Sequence, residues 1–320
     1  MRVVTRPFRF GVVCGAPNAR DWAELARRVE SLGYSVMLCS DHLDLGGAHF
    51  STLSALPALA AAATVTTDVR VGTSVINHDL HHPAVLAREA VSVDILSDGR
   101  LELGLGAGWA EYEYEWAGIR FDPVRERISR FSEYVEVVKA LTSEAVTTHH
   151  GEFFHLTEMP LVPLPVQRPR PPIMIGGTGR RMLTLAAREA EIVGINLNGA
   201  VAGTPAAMDE RISWIREAAD GRESQPELNN IVGTVVITDG DRREVLRDEL
   251  ARQRAAGLDF MTASMTEDQL LESPTALIGS VERVVEDIQS WRERWGISYV
   301  IVSYPDLEAF APVVARLAGR

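Results

Sequence analysis

The chain is short of cysteine, lysine and long apolar runs. Its 320 residues hold two cysteines, Cys14 and Cys39, and no C-x-x-C spacing that would suggest a metal site or a redox pair. Both fall in apolar strand patterns and read as small core residues. No apolar run reaches the roughly 18 residues of a membrane-spanning helix, and no secretory leader pattern precedes the first strand. The expected setting is cytoplasmic, without a membrane partner. Lys139 is the only lysine, and the 32 basic residues are outnumbered by 44 acidic ones, for a net charge of -12. That balance argues against nucleic acid as a partner. It leaves anionic small molecules open, since these need only a local basic or backbone site.

What the chain does have is alternation. Apolar runs at Phe8–Cys14, Tyr34–Ser40, Val69–Ile76, Leu101–Leu105, Pro172–Ile175, Ile192–Ile195, Ile231–Ile237 and Tyr299–Val302 read as strands. Helical periodicity fills the intervals at Arg20–Leu32, Ser54–Val65, Pro83–Leu96, Glu126–Leu141, Arg180–Arg188, Met208–Ala219, Arg242–Ala255 and Val281–Trp295. The strands are continuously apolar, as expected when helices cover both faces of a parallel sheet. Roughly eight such units predict an α/β fold, a (β/α)8 TIM barrel formed by residues 1–320 as a single domain, with a doubly wound open sheet as the alternative. Two stretches break the rhythm. Residues 147–170 read as a hairpin and a proline-rich connection, and 258–279 as a long connection. Such stretches in a compact domain serve as lids or binding loops.

Barrel chemistry sits at the C-terminal ends of the strands. The second strand ends in Asp41-His42, where an imidazole can move a proton near neutral pH; the pair reads equally as a turn cap and a solvated ring. The third strand ends in Thr73-Ser74-Val75-Ile76-Asn77-His78, which can present hydroxyls and backbone donors at the rim or serve ordinary strand and turn chemistry. His81 and His82 follow, but their spacing with His42 and His78 matches no zinc pattern, so no metal is expected. The fourth strand runs into Gly104, Gly106 and Gly108. A dinucleotide fingerprint needs a third glycine where Trp109 stands, and Glu111, Glu113 and Glu115 would repel a pyrophosphate. This strand end suits a flat ring, which small residues allow to approach closely. Glu111 is a candidate acid if buried against a tryptophan, or a solvated residue of the insertion. The fifth strand ends in Gly176-Gly177-Thr178-Gly179 before a helix with Arg180 and Arg181. Glycine-rich amides at a helix N-terminus suit a phosphate.

With these motifs in hand, the chain resembles the luciferase-like monooxygenase superfamily, and within it the single-component oxidoreductases that use the deazaflavin coenzyme F420. The matching pieces are Glu30-x-x-Gly33-Tyr34, Ser40-Asp41-His42, Arg70-Val71-Gly72-Thr73, Asp94-x-x-Ser97-x-Gly99-Arg100, Gly104-x-Gly106-Ala107-Gly108-Trp109, Gly176-Gly177 and Ile278-Gly279-Ser280. The resemblance implies a barrel with the cofactor at its C-terminal face and a non-prolyl cis peptide at Ser74-Val75 behind the ring. It implies that Asp41 and His42 contact the deazaflavin and assist proton movement. It assigns Thr73, Ser74, Val75 and Asn77 to the ring site, Gly106, Ala107 and Gly108 to backbone contacts, and Gly176, Gly177 and Thr178 to the phosphate. It also implies a homodimer. Relatives that oxidise sugar phosphates carry a glutamate where Trp109 stands, so that specificity is not carried over.

The function expected is hydride transfer between F420 and a small organic substrate, with His42, Asp41 and Glu111 as candidate catalytic groups. An FMN-dependent monooxygenase fed by a separate reductase is the alternative. A non-enzymatic flavin- or deazaflavin-binding protein is a third.

Overall fold

Continuously apolar segments need cover on both faces, and the chain supplies it by closing a parallel sheet inside a ring of helices. The computed structural model describes residues 6–16, 18–44, 53–196, 203–255 and 264–320. In its first half, β1 (Arg9–Val13), α1 (Ala19–Ser31), β2 (Val36–Cys39) and α2 (Ala55–Ala63) lead to a split third strand, β3 (Arg70–Thr73) and β4 (Ile76–Asn77). Then come α3 (Pro83–Leu96), β5 (Leu101–Gly106), α4 (Glu111–Ala117), α5 (Val124–Ser143) and the antiparallel hairpin β6 (Val146–His150) and β7 (His155–Pro160). The second half runs β8 (Ile173–Gly177), α6 (Arg180–Glu189), β9 (Ile192–Ile195), α7 (Pro205–Ala218), β10 (Glu227–Ile231), β11 (Thr234–Ile237) and α8 (Arg242–Ala255). It ends with α9 (Glu267–Glu272), β12 (Ala276–Gly279), α10 (Val281–Trp295), β13 (Ile297–Ser303) and α11 (Leu307–Leu317).

The main sheet runs β3-β2-β1-β13-β10-β9-β8-β5-β4, and β3 also pairs with β5, so the sheet closes. With β3 and β4 counted as one broken strand, this is the eight-stranded parallel barrel expected from the alternation. Local chemistry marks the helix ends. Asn18 accepts from the amides of Arg20 and Asp21 at the start of α1, Pro83 opens α3, and Ser280 caps α10, which stops at left-handed Gly296. These are the residue types that satisfy or dispense with the free amides of a first turn, or adopt the left-handed stop.

Inside the barrel, Val36, Leu38, Met174, Ile192, Tyr299 and Ile301 pack together. The N-terminal end is plugged by charge. Arg9 reaches Glu102 at 2.6 Å and Glu227 at 3.0 Å, and Arg70 also reaches Glu102 at 2.6 Å. Burial alone would raise the Glu102 carboxyl, but the two guanidinium groups outweigh it and hold its pKa below the usual range.

Three expectations need correction. The seventh barrel strand is Glu227–Ile231, not 231–237: after Gly233 the chain leaves the barrel, and β11 pairs in parallel with β12 outside it. The polar pair Asn229-Asn230 hides the true strand, yet both residues are fully buried. The expected long connection 258–279 contains α9 and β12 in its described part; residues 258–263 lie outside the described residues. Helices α4 and α11 were not expected. Among the described residues, no helix is long and apolar enough to cross a membrane.

Candidate active site

Where the barrel strands end, the molecule opens into a cleft of about 680 Å³. Asp41 and His42 follow β2, Ser74 and Val75 separate β3 from β4, and Asn77 ends β4. Gly106 ends β5 with Ala107 and Gly108 just beyond it, and Gly176 and Gly177 end β8 with Thr178 just beyond it; all of these border the cleft. The Ser74-Val75 peptide is cis, at the position the resemblance implied.

The glycines of β5 make room for the protein itself. A Cβ at Gly106 would lie 2.5 Å from Val75 Cγ2, and one at Gly108 would lie on the Tyr114 hydroxyl, where φ is also +70°. Gly106 therefore admits the Val75 side chain beside the cleft. Gly108 admits Tyr114, whose hydroxyl lies 3.1 Å from Asn77 Oδ1 and 3.0 Å from Asp79 Oδ2. Arg127, nearly buried, holds this strand end from behind. Its guanidinium donates to the carbonyls of Ala107 (3.0 Å), Gly108 and Asp122 (2.9 Å) and lies 4.0 Å over the Phe121 ring.

His42 has a partner that local spacing does not reveal. Its Nδ1 lies 2.9 Å from Glu113 Oε2, and Glu113 Oε1 accepts from the Leu43 amide at 2.6 Å. Glu113 is 1% exposed. The Trp109 indole stands nearly perpendicular to the imidazole, 5.5 Å away between ring centres. Glu111 stands elsewhere. It opens α4 and is exposed, because two residues along a helix is a turn of about 200° and Glu113 and Tyr114 take the inward face. Thr73 is also apart from the cleft. It is fully buried, and its hydroxyl joins the Gly104 amide and carbonyl at 2.8 Å each, so it is spent on holding β3 to β5.

Asp41 borders the cleft, and its Oδ2 lies 2.8 Å from His81 Nε2 and accepts weakly from the Asn77 amide at 3.4 Å. The clustered histidines diverge. His78 is buried between Phe131 and Tyr134, and burial, against a smaller opposing effect from Asp79, lowers its pKa to about 4. His82 accepts from the Ala84 amide at the start of α3. Among the described residues no group of three or more histidine, cysteine or carboxylate side chains could hold a metal ion.

At the far end, α6 begins after Gly179 with no side chain capping its free amides. Arg181 borders the cleft there, tied to the Arg125 carbonyl and Ser129 hydroxyl, whereas Arg180 turns outward to Glu217. Two further residues reach the cleft that motif reading did not single out. Asn196 and Asn229 each border it with a buried carboxamide oxygen that has no hydrogen-bond partner among the described residues. A buried acceptor left unpaired costs about 1–3 kcal/mol, so both are suited to a ligand's N–H or O–H.

The model of the luciferase-like monooxygenase family matches residues 3–299. An F420-dependent glucose-6-phosphate dehydrogenase of Microbacterium testaceum is 31% identical over 197 residues, 59% of this chain and 56% of the relative. An FMNH(2)-dependent dimethylsulfone monooxygenase of Pseudomonas putida is 28% identical over 170 residues, 53% of this chain and 46% of the relative. The matched region thus spans about half the length of each of these relatives. The monooxygenase RslO1 from Streptomyces bottropensis superposes with a TM-score of 0.77 at 23% identity over 97% of both chains, a likeness of fold.

Proposed function

We propose that this chain, which belongs to the luciferase-like monooxygenase family, is an oxidoreductase that holds coenzyme F420 in the cleft and moves a hydride between it and a small organic substrate. The observation that carries this reading is the buried Glu113 behind His42. Hydride transfer to or from a carbon bearing oxygen or nitrogen needs a proton moved at the heteroatom. A carboxylate on Nδ1 fixes the orientation of an imidazole, which is the arrangement of a general acid or base. With Nδ1 engaged, Nε2 is the nitrogen that can exchange a proton with a molecule in the cleft.

The residues present fit a deazaflavin. The unpaired oxygens of Asn196 and Asn229 await donors, the rim between Val75 and Gly108 offers an edge of small residues, and the uncapped start of α6 suits a phosphate. Asp41, His42, Ser74, Val75, Asn77 and Gly106 to Gly108 would hold the ring, and Gly176 to Thr178 the phosphate. When bound, a deazaflavin supplies a hydride acceptor or donor at C5 and lacks the flavin nitrogen that supports oxygen activation. The chain's own part is positioning and proton handling. Arg127 fixes the carbonyls of Ala107 and Gly108, so the rim does not give way under a ligand. His42 holds or delivers the proton, and Trp109 packs beside its ring. Trp109 also argues against sugar phosphates as substrates. The F420-dependent relative supports the cofactor assignment, and the FMNH(2)-dependent relative supports the runner-up, an FMN-dependent monooxygenase.

The test is anaerobic turnover of F420 or its reduced form with a panel of small alcohols, aldehydes and activated alkenes. Turnover is expected with at least one, falling about 10²- to 10⁴-fold in His42→Ala. Oxygenation of substrates with reduced FMN, and no turnover with F420, overturns the reading.

A further inference from the structure

Behind the cleft wall, between α2 and α3, lies a second cavity of about 200 Å³, bordered by Ser54, Ile76, His82 and Glu89 as well as Asp41 and His81. Asp41 borders both this cavity and the cleft. His81 borders only the second, and its Nε2 sits 2.8 Å from Asp41 Oδ2. The carboxylate side chain is 10% exposed and the imidazole 22%. One hydrogen bond therefore spans the wall that separates the two spaces.

We propose that Asp41 and His81 form a proton path through the barrel wall, with His81 a positioning residue that loads and unloads Asp41 from the second cavity. The proposal rests on the cleft being a site of hydride chemistry. Oxidising an alcohol to a carbonyl releases a hydride, which leaves with the cofactor, and a proton, which must leave the cleft. His42 takes it from the hydroxyl at Nε2, and Asp41, on the same rim, accepts it for release. The Asp41 O–H bond then breaks as an N–H bond forms at His81 Nε2, and the imidazolium gives a proton to water in the second cavity. No electrons change hands, and reduction runs the same steps backwards. His42 serves this release poorly, because its Nδ1 leads to the buried Glu113.

The surroundings of His81 favour the loaded state. The hydrogen bond to Asp41 raises its pKa, against the opposing effect of burial, and the charge of Glu89 on α3 adds to the rise. His82 borders the same cavity from the start of α3, Tyr134 on α5 lies within electrostatic reach of Asp41, and α2 contributes no titratable side chain.

Two measurements test the path. Proton uptake or release on F420 binding is measured by calorimetry in buffers of different ionisation enthalpy, for the native chain and for His81→Gln. The native chain is expected to show a proton exchange that disappears in His81→Gln, while F420 affinity stays within about threefold. Undiminished exchange in the variant overturns the proposal. In parallel, ¹⁵N-histidine NMR of the cofactor-free protein is expected to show the His81 midpoint falling by about one unit or more in Asp41→Asn. An unchanged midpoint also overturns it. Failure of F420 to bind at all would strike the cofactor reading and leave the NMR result to decide on the pair.

Discussion

Glu113 Oε2 meets His42 Nδ1 at 2.9 Å although 71 residues separate them, and the same carboxylate accepts from the Leu43 amide. One buried side chain thus fixes both the ring and the backbone that follows β2. Removing it in Glu113→Ala strands two donors, and a loss of about 1–3 kcal/mol in urea unfolding is expected. Glu111→Ala, on the exposed side of α4, is expected to stay within about 0.5 kcal/mol of the native chain. Equal losses would contradict the assignment of Glu113.

The close approach of Gly106 to Val75 can be tested by a double-mutant cycle. Gly106→Ala places a methyl 2.5 Å from Val75 Cγ2, and overpacking of this kind costs about 1–3 kcal/mol. Val75→Ala removes the opposing methyls. The pair is expected to couple by about 1 kcal/mol in unfolding free energy, with the double variant more stable than additivity allows. Strict additivity would mean that another contact dictates the glycine.

Arg127 tests the rigidity of the rim. Its planar fork serves three backbone carbonyls at once, a geometry that an ammonium group does not reproduce. Arg127→Lys is expected to weaken F420 binding about tenfold while retaining the charge. Unchanged affinity in fluorescence titration would show that the fork is dispensable.

His78 gives a pH dependence with a definite sign. Burial holds its folded pKa near 4, below the ordinary value of about 6.5. Between those values the unfolded chain binds a proton that the folded chain does not, so stability falls as pH drops through this window. Across this window the loss is on the order of 3 kcal/mol. Unfolding free energies at pH 7 and pH 4.5 are expected to differ less in His78→Gln than in the native chain. An equal difference would remove His78 from the account.

Much of the barrel is legible in sequence because burial on both faces leaves little choice of residue. Val36–Cys39 and Ile192–Ile195 are wholly apolar or glycine, and the structure makes each a fully buried strand. Strand β10 is hidden because Glu227, Asn229 and Asn230 look like a loop. Partners far along the chain make the polar residues tolerable: Arg9 for Glu227, and the Pro274 carbonyl for Asn230. Helix α11 is masked by Pro312 in its interior, and α4 by a Glu-Tyr alternation that imitates a strand. Left-handed Gly118 at the end of α4 is the one local sign of a helix there. The same division holds for the site. Asp41-His42, Gly106 to Gly108 and Gly176 to Thr178 are contiguous strand ends and can be read directly. Asn196 directly follows the expected strand Ile192–Ile195 and is open to the same reading, whereas Glu113, Arg127 and Asn229 reach the cleft only through tertiary packing, and Gly106 and Gly108 take their meaning from Val75 and Tyr114.

The most direct test of the whole account is equilibrium titration of the purified protein with F420 and with FMN, followed by absorbance and fluorescence. The account predicts that F420 binds at least tenfold more tightly than FMN, and that Asn229→Ala, which removes a buried unpaired acceptor from a residue that lines the cleft, weakens F420 binding by about 1 kcal/mol or more. Tight FMN binding with no measurable F420 binding would contradict it.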